Sequence, residues 1–161
     1  MAKIDIKKEL KHLYSSSAKE FKIVDVPEMN FLMVDGSGDP NTAKEYTNAI
    51  QAQYAVSYTL KFMVKRGKAA IDYGVMPLEG LWWVDDMAQF SEDKKDEWKW
   101  TAMIMQPKYI TRDLFDLALK ESKKKKDLPA LLKLRFGSFR EGPASQIMYI
   151  GPYSNEGPTI Q

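Results

Sequence analysis

The apolar positions of this chain change period several times, and each change marks an element. From Phe21 to Val26, and again from Met29 to Asp35, apolar side chains alternate with the period of a strand. Met29, Phe31 and Met33 oppose Leu32 and Val34, and Pro27 separates the two strands. Gly36-Ser37-Gly38 supplies a turn; its spacing matches neither a dinucleotide-binding nor a Walker loop, so turn chemistry is the better reading. From Thr42 the period lengthens to that of a helix. Tyr46, Ile50, Tyr54, Ser57, Leu60 and Val64 form a stripe that Ala49, Val56 and Met63 widen. Thr42-Ala43-Lys44-Glu45 reads as its capping box and Gly67 as its stop. Ala70 to Pro77 then predicts a strand with Ile71, Tyr73 and Val75 on one face.

All four tryptophans lie between Pro77 and Pro107, two on each side of a polar loop from Asp85 to Glu97, which predicts a β-hairpin with a charged tip. Trp98, Trp100, Ala102 and Ile104 share one face, and Lys99, Thr101, Met103 and Met105 share the other. Adjacent Trp82 and Trp83 must point to opposite faces, so one can enter the core while the other walls a pocket. Ordinary cross-strand packing is the blander account of the same residues. Thr111 caps a second helix, with Leu114, Leu117, Ala118 and Glu121 on one face. Its end, Lys123 to Lys126, reads as a solvated turn complementing the helix dipole rather than a nucleic-acid patch. Leu131 to Phe139 predicts a strand, Glu141-Gly142-Pro143 a turn, Gln146 to Ile150 a last strand, and Asn155 to Thr159 the start of a helix. Residues 1–20 form a polar lead-in anchored by Leu10, Leu13 and Tyr14.

Composition narrows the chemistry. A chain of 161 residues suits one domain with a real core, and a net charge of +2 with both signs interspersed creates no field toward nucleic acid or membrane. With no cysteine and a single histidine, His12, in a lysine-rich segment, thiolate nucleophiles, sulfur-ligated metals and histidine-based triads are set aside. No metal or cofactor is expected. The start has no apolar run of signal-peptide type and no stretch reaches membrane-spanning length, so a cytoplasmic protein is expected. Carboxylates, aromatics, hydroxyls and bound water remain to carry any reaction.

Several blocks together carry a specific resemblance. Met76-Pro77-Leu78-Glu79-Gly80-Leu81-Trp82-Trp83, then Trp98-Lys99-Trp100 through Met105-Gln106-Pro107, then Gly151-Pro152-Tyr153 with Glu156, Pro158 and Thr159 resemble the GyrI-like small-molecule-binding family. More narrowly they resemble its stand-alone bacterial branch, which lacks a DNA-binding domain. The resemblance covers Phe21 to Thr159. It implies an α+β fold of duplicated SH2-like βαββ units, whose antiparallel sheets form a groove for aromatic, often cationic, ligands. Residues 21–161 would then be the GyrI-like domain: 29–105 the first βαββ unit, 106–144 a connecting helix and strand, and 145–161 the start of a second unit. Family members continue with a helix and two strands, so the second unit is expected to be incomplete. Either the sequence is a fragment or a partner, with a homodimer in view, completes the sheet.

Two functions follow from the resemblance. The first is binding of hydrophobic planar aromatic molecules, cationic ones among them, with Tyr73, Trp82, Trp83 and Trp100 as stacking surfaces. The second is hydrolysis of the strained cyclopropane of DNA-alkylating natural products, as in the family's cyclopropanoid hydrolases, for cellular protection. Such a ring needs only a polarised leaving group and a positioned water, with Glu79 as the carboxylate and Tyr149 as a hydrogen-bond donor. Glu79 also reads as a polar turn residue before Gly80, and Tyr149 as core. Direct transcription regulation is disfavoured because no helix-turn-helix precedes the domain.

Overall fold

The computed structural model describes residues 2–148 and has an α+β architecture. The chain runs through β1 (Lys3–Ile4), α1 (Ile6–Glu9), α2 (Lys11–Tyr14), β2 (Lys22–Val26) and β3 (Met29–Ser37). It continues through α3 (Lys44–Arg66), β4 (Asp72–Tyr73), β5 (Leu78–Trp83) and β6 (Lys99–Gln106). Last come α4 (Arg112–Lys125), β7 (Arg135–Phe139) and β8 (Gly142–Gln146). Four strands form one antiparallel sheet in the order β5-β6-β3-β7. Two small pairings flank it, β2 with β8 antiparallel and β1 with β4 parallel.

Alternation gives this sheet two distinct faces. Leu32, Val34, Trp82, Trp100, Ala102, Ile104 and Phe136 face the helices, as their cross-strand register requires. Helix α3 lies on this face. Its Ala49, Ala52, Val56 and Leu60 are fully buried, and the two alanines allow close approach. The buried stripe therefore centres on Ala52 and Gln53, one residue round from the predicted Ile50–Tyr54 row. Gln53 Nε2 donates to the carbonyls of Leu32 (3.1 Å) and Ala102 (2.7 Å), tying the helix to both central strands. From α4, Phe115 stacks on Phe136 at 5.7 Å.

The hairpin packs by aromatic contact on the same face. Trp82 and Trp100 are direct cross-strand partners, and Tyr46 of α3 touches both, at 5.5 and 5.1 Å between ring centroids. Trp98 joins them, stacked on Phe90 at 4.9 Å, with its Nε1 donating to the Ser91 carbonyl. The loop between the arms is thus folded back through Phe90 rather than being a purely polar tip. The Trp100 indole lies over Gly36, its cross-strand partner, where a Cβ would meet the ring. Trp100 Nε1 has no partner among the described residues. An unpaired buried N–H costs about 1–3 kcal/mol, whereas removing a buried tryptophan costs about 3–5 kcal/mol, so apolar burial decides this position.

Several local expectations are corrected. Thr42 is exposed and caps nothing: α3 begins one residue later, with Ala43 at the N-cap and no side-chain cap. The turn is built instead on Asp39, whose carbonyl accepts from the amides of Thr42 (3.1 Å) and Ala43 (2.7 Å). Only Asp72–Tyr73 of the predicted strand 70–77 is extended and paired, because its partner is the two-residue β1. The predicted strand 131–139 starts only at Arg135. Pro129 initiates a 3₁₀ turn through Lys133 that buries Leu131 and leaves Leu132 83% exposed. Gly142 and Pro143, read as turn residues, lie in β8, which ends at Gln146. The predicted residues 149–150 of the last strand and the helix start at 155–159 lie outside the described residues.

The lead-in is more structured than its polarity suggests. Ile6 and Leu13 are buried, and Gln146 Nε2 donates to the Leu13 carbonyl at 2.7 Å. Beside it, Lys61 Nζ donates to Asp72 (3.0 Å) and to the Tyr73 carbonyl (2.6 Å). The Lys61 hydrogen bond, with Lys65 behind it, holds the Asp72 carboxyl below the ordinary aspartate range.

Two outcomes are expected. Gly36→Ala should destabilise the fold by about 1–3 kcal/mol, seen as a lower thermal midpoint, because the Trp100 ring cannot yield in a packed core. Asp72 has a depressed folded-state pKa, so its stabilisation is present above the unfolded pKa and is lost as pH falls through the folded one. Asp72→Asn should therefore lower the midpoint at neutral pH and flatten its decline in acid.

Candidate active site

The face of the sheet opposite α3 carries the candidate site. Glu79, Leu81 and Trp83 alternate along β5 onto this face, opposite Met103, Thr101 and Lys99 of β6. Glu79 is half-buried, and the Tyr14 hydroxyl donates to its Oε2 at 2.8 Å. That contact brings the end of α2 across 65 residues of sequence onto the middle of the hairpin. Burial pushes the Glu79 carboxyl above the usual carboxylate range. The Tyr14 hydrogen bond works against that shift, and the Glu141 charge adds to it. Tyr14 is in turn pushed well above the normal phenol range by burial and by the Glu79 carboxylate. The phenol therefore stays protonated and acts as a donor.

A second cluster occupies the far end of the same face. Thr101 Oγ1 donates to Asp35 Oδ1 at 2.6 Å, and one terminal nitrogen of Arg135 donates to both Asp35 oxygens, at 3.0 and 3.3 Å. Burial raises the Asp35 carboxyl, but these hydrogen bonds outweigh it and hold the group below its ordinary value. With Trp83, Lys99 and Ser37 the cluster lines a shallow, solvent-open depression of about 550 Å³.

The residues singled out from sequence are thus divided. Glu79 and Trp83 share the face opposite α3, whose middle, Phe31, Met33, Met103 and Met105, is itself buried. Trp82 and Trp100 lie on the helix face, Trp100 fully buried, where both serve the core. Tyr73 is buried against Tyr109 at 5.6 Å, with its hydroxyl unpartnered among the described residues. Tyr149 lies outside the described residues. Tyr14, Asp35, Thr101 and Arg135 were not singled out. Tyr14 carried only the signal of an anchor beside Leu13, and nothing in its spacing points to Glu79. The Asp35–Thr101 pair becomes visible only once β3 and β6 are placed in register.

Among the described residues no group of three or more His, Cys, Asp or Glu side chains could hold a metal ion, and no helix is long and apolar enough to cross a membrane. The arrangement offers a carboxylate of raised basicity, a tyrosine donor that orients it, and an aromatic cleft on the same face. It suits activation of water more than covalent catalysis.

No family model and no curated protein matches the chain. Solved structures do. An uncharacterized conserved protein from Listeria innocua is 40% identical, with a TM-score of 0.88, over 98% of this chain and 77% of its own. Two structures of Listeria innocua hydrolases are each 39% identical, with TM-scores of 0.86 and 0.83. They match 99% and 98% of this chain, and 77% and 79% of theirs. With the α+β fold described above and this identity over nearly its whole length, the chain belongs to the GyrI-like family and is homologous to these Listeria innocua proteins.

Proposed function

We propose that the protein is a hydrolase in which Glu79 acts as general base on a water molecule and Tyr14 positions the carboxylate. The observation that carries this reading is the half-buried Glu79 carboxyl, raised by burial and held by the Tyr14 hydroxyl at 2.8 Å. The hydrolases among its homologues support it. The substrate class that fits is an electrophilic cyclopropane fused to a conjugated carbonyl, as in DNA-alkylating natural products. Water attacks the ring carbon and one ring C–C bond breaks. The electron pair moves to the carbonyl oxygen, and Glu79 passes the water's proton on to that oxygen, so one water is added overall. No covalent nucleophile is needed, which suits a chain without cysteine. In a cell the reaction would protect DNA from alkylation in the cytoplasm.

Binding of planar aromatic molecules without turnover is the second reading. Trp83 favours it: among the described residues it makes no ring contact, although it is half-buried beside the cleft.

Incubation with a cyclopropane-bearing DNA alkylator, followed by mass spectrometry, should show gain of one water above the buffer rate. Glu79→Gln should lower that rate by on the order of 100-fold or more. A wild-type protein that gives only the buffer rate sinks the hydrolase and leaves the binder.

The pH dependence tests the same assignment. A general base must be ionised, so kcat/KM should rise with pH through a midpoint above the ordinary glutamate value. Tyr14→Phe removes a hydrogen bond that favours the ionised form, so this acid limb should move to higher pH. An unmoved limb would assign the titration to another group. Stability carries the opposite sign. A raised folded-state pKa means that ionised Glu79 disfavours folding, and the penalty lifts as pH falls through that pKa. Glu79→Gln should therefore leave the thermal midpoint at pH 7 unchanged or higher while activity is lost.

A further inference from the structure

The proposed base leans on an element that cannot hold itself. Helix α2 is a single turn of four residues, far below the length at which a helix is stable alone, so tertiary contacts must place it. Its last residue, Tyr14, carries the hydroxyl that meets Glu79. The peptide unit joining Leu13 to Tyr14 is fixed at both ends. Its N–H donates to the Leu10 carbonyl at 3.1 Å within the turn, and its C=O accepts from Gln146 Nε2 at 2.7 Å. That carbonyl is one of those a helix end leaves without an intrahelical partner, so the Gln146 amide supplies what the backbone cannot. Further along, the Met148 amide donates to the Ser17 carbonyl at 2.9 Å and continues the same seam. The inward side of β8 holds Gly142, Ala144 and Gln146, while Pro143 and Ser145 are exposed. Of the inward three, Gln146 alone has a side-chain donor and the reach to use it.

We propose that Gln146 is a positioning residue for the general base: by holding the Leu13–Tyr14 peptide it sets the Tyr14 hydroxyl on Glu79, and it acts on Glu79 only through Tyr14. The inference rests on the reading of Glu79 as that base. Tyr14 engages Oε2, which fixes the carboxylate and leaves Oε1 for the attacking water. Without the Gln146 amide the turn frays at its last residue, and the phenol spends less time on the carboxylate. Leu13 and Ile6 stay buried, so the loss falls on orientation rather than on attachment of the lead-in. Among the described residues, the ionisable groups acting on Glu79 are Tyr14, by hydrogen bond and charge, and Glu141, by charge. Its β6 partner, Met103, is uncharged. The Tyr14 hydrogen bond favours the ionised form, so weakening it through Gln146 must make Glu79 harder to ionise.

The test substitutes Gln146→Met, which keeps the length of the side chain and removes the amide. The Glu79 carboxyl is followed by carboxyl-carbon NMR titration of the full chain without substrate, with Glu79→Gln identifying its signal. The midpoint should rise in Gln146→Met by at least about half the distance it rises in Tyr14→Phe. The double variant should add nothing beyond Tyr14→Phe alone, because both changes remove one interaction. A midpoint unmoved or lowered in either single variant, or two changes that add, overturns the inference. Where Gln146→Met does not fold, Gln146→Asn, which draws the amide back by one methylene, carries the same expectation. Turnover gives a second readout. With the cyclopropane substrate, Gln146→Met should lower kcat roughly three- to tenfold with KM within about twofold, and should move the acid limb of kcat/KM to higher pH. A lower kcat with an unmoved acid limb would make Gln146 a structural residue and overturn the assignment. A Glu79 midpoint that follows Gln146 in a protein without turnover would retain the positioning of Tyr14 and reject the hydrolysis.

Discussion

The Trp100 indole laid over Gly36 is the constraint from which the rest of the sheet follows. A side chain at position 36 would occupy the space of the ring, so β3 and β6 can pair closely only in the register that sets the glycine opposite the tryptophan. A slip of one residue would bring Asp35 or Ser37 opposite it and reverse every later side chain. With this register fixed, Trp82 pairs with Trp100 on the helix side, and the period of the strand sends Glu79 and Trp83 the other way. A core contact on one face thereby sets the geometry of the site on the other. Gln53 holds α3 to the carbonyls of both strands, so the scaffold beneath the site is pinned from its far side.

Three carboxylates show how this scaffold sorts its charges. Asp72 is held by Lys61 and Lys65, and Asp35 by Thr101 and Arg135; both lie below their ordinary pKa. Glu79 is also removed from water, but its hydrogen-bond partner is a neutral phenol, and it alone of the three is raised. Burial is common to these groups, so the partner decides the sign. A cation fixes a carboxylate as a structural group. A phenol orients the carboxyl while leaving its basicity available, which is the combination a general base requires.

The parts of this arrangement legible in the sequence are those governed by short-range periodicity. The hairpin, the long helix and the opposite aim of Trp82 and Trp83 follow from alternation over a few residues. The capping box failed because Thr42 was drawn into a turn on Asp39 instead, a competition between local motifs that sequence spacing alone does not rank. The strand expected at 131–139 begins only at Arg135, because Pro129 starts a 3₁₀ turn whose short apolar run looks the same as a strand's. Glu79 and Trp83 were legible as candidates from the hairpin pattern and the family resemblance. Their surroundings were not: Tyr14 reaches Glu79 across 65 residues and Arg135 reaches Asp35 across 100. No local pattern encodes such pairs, because they exist only once the sheet has fixed both ends.

The proposed ring opening is a reaction in which charge develops late. A cyclopropane fused to a conjugated carbonyl is neutral at the start and gains negative charge on its oxygen only as the ring opens. In the proposed reaction Glu79 would contribute most as the attacking water begins to lose a proton, because a base of raised pKa is better matched to that transfer than an ordinary carboxylate. Stacking at Trp83 would act on ground state and transition state alike, whereas the Glu79 contribution would appear only in the transition state.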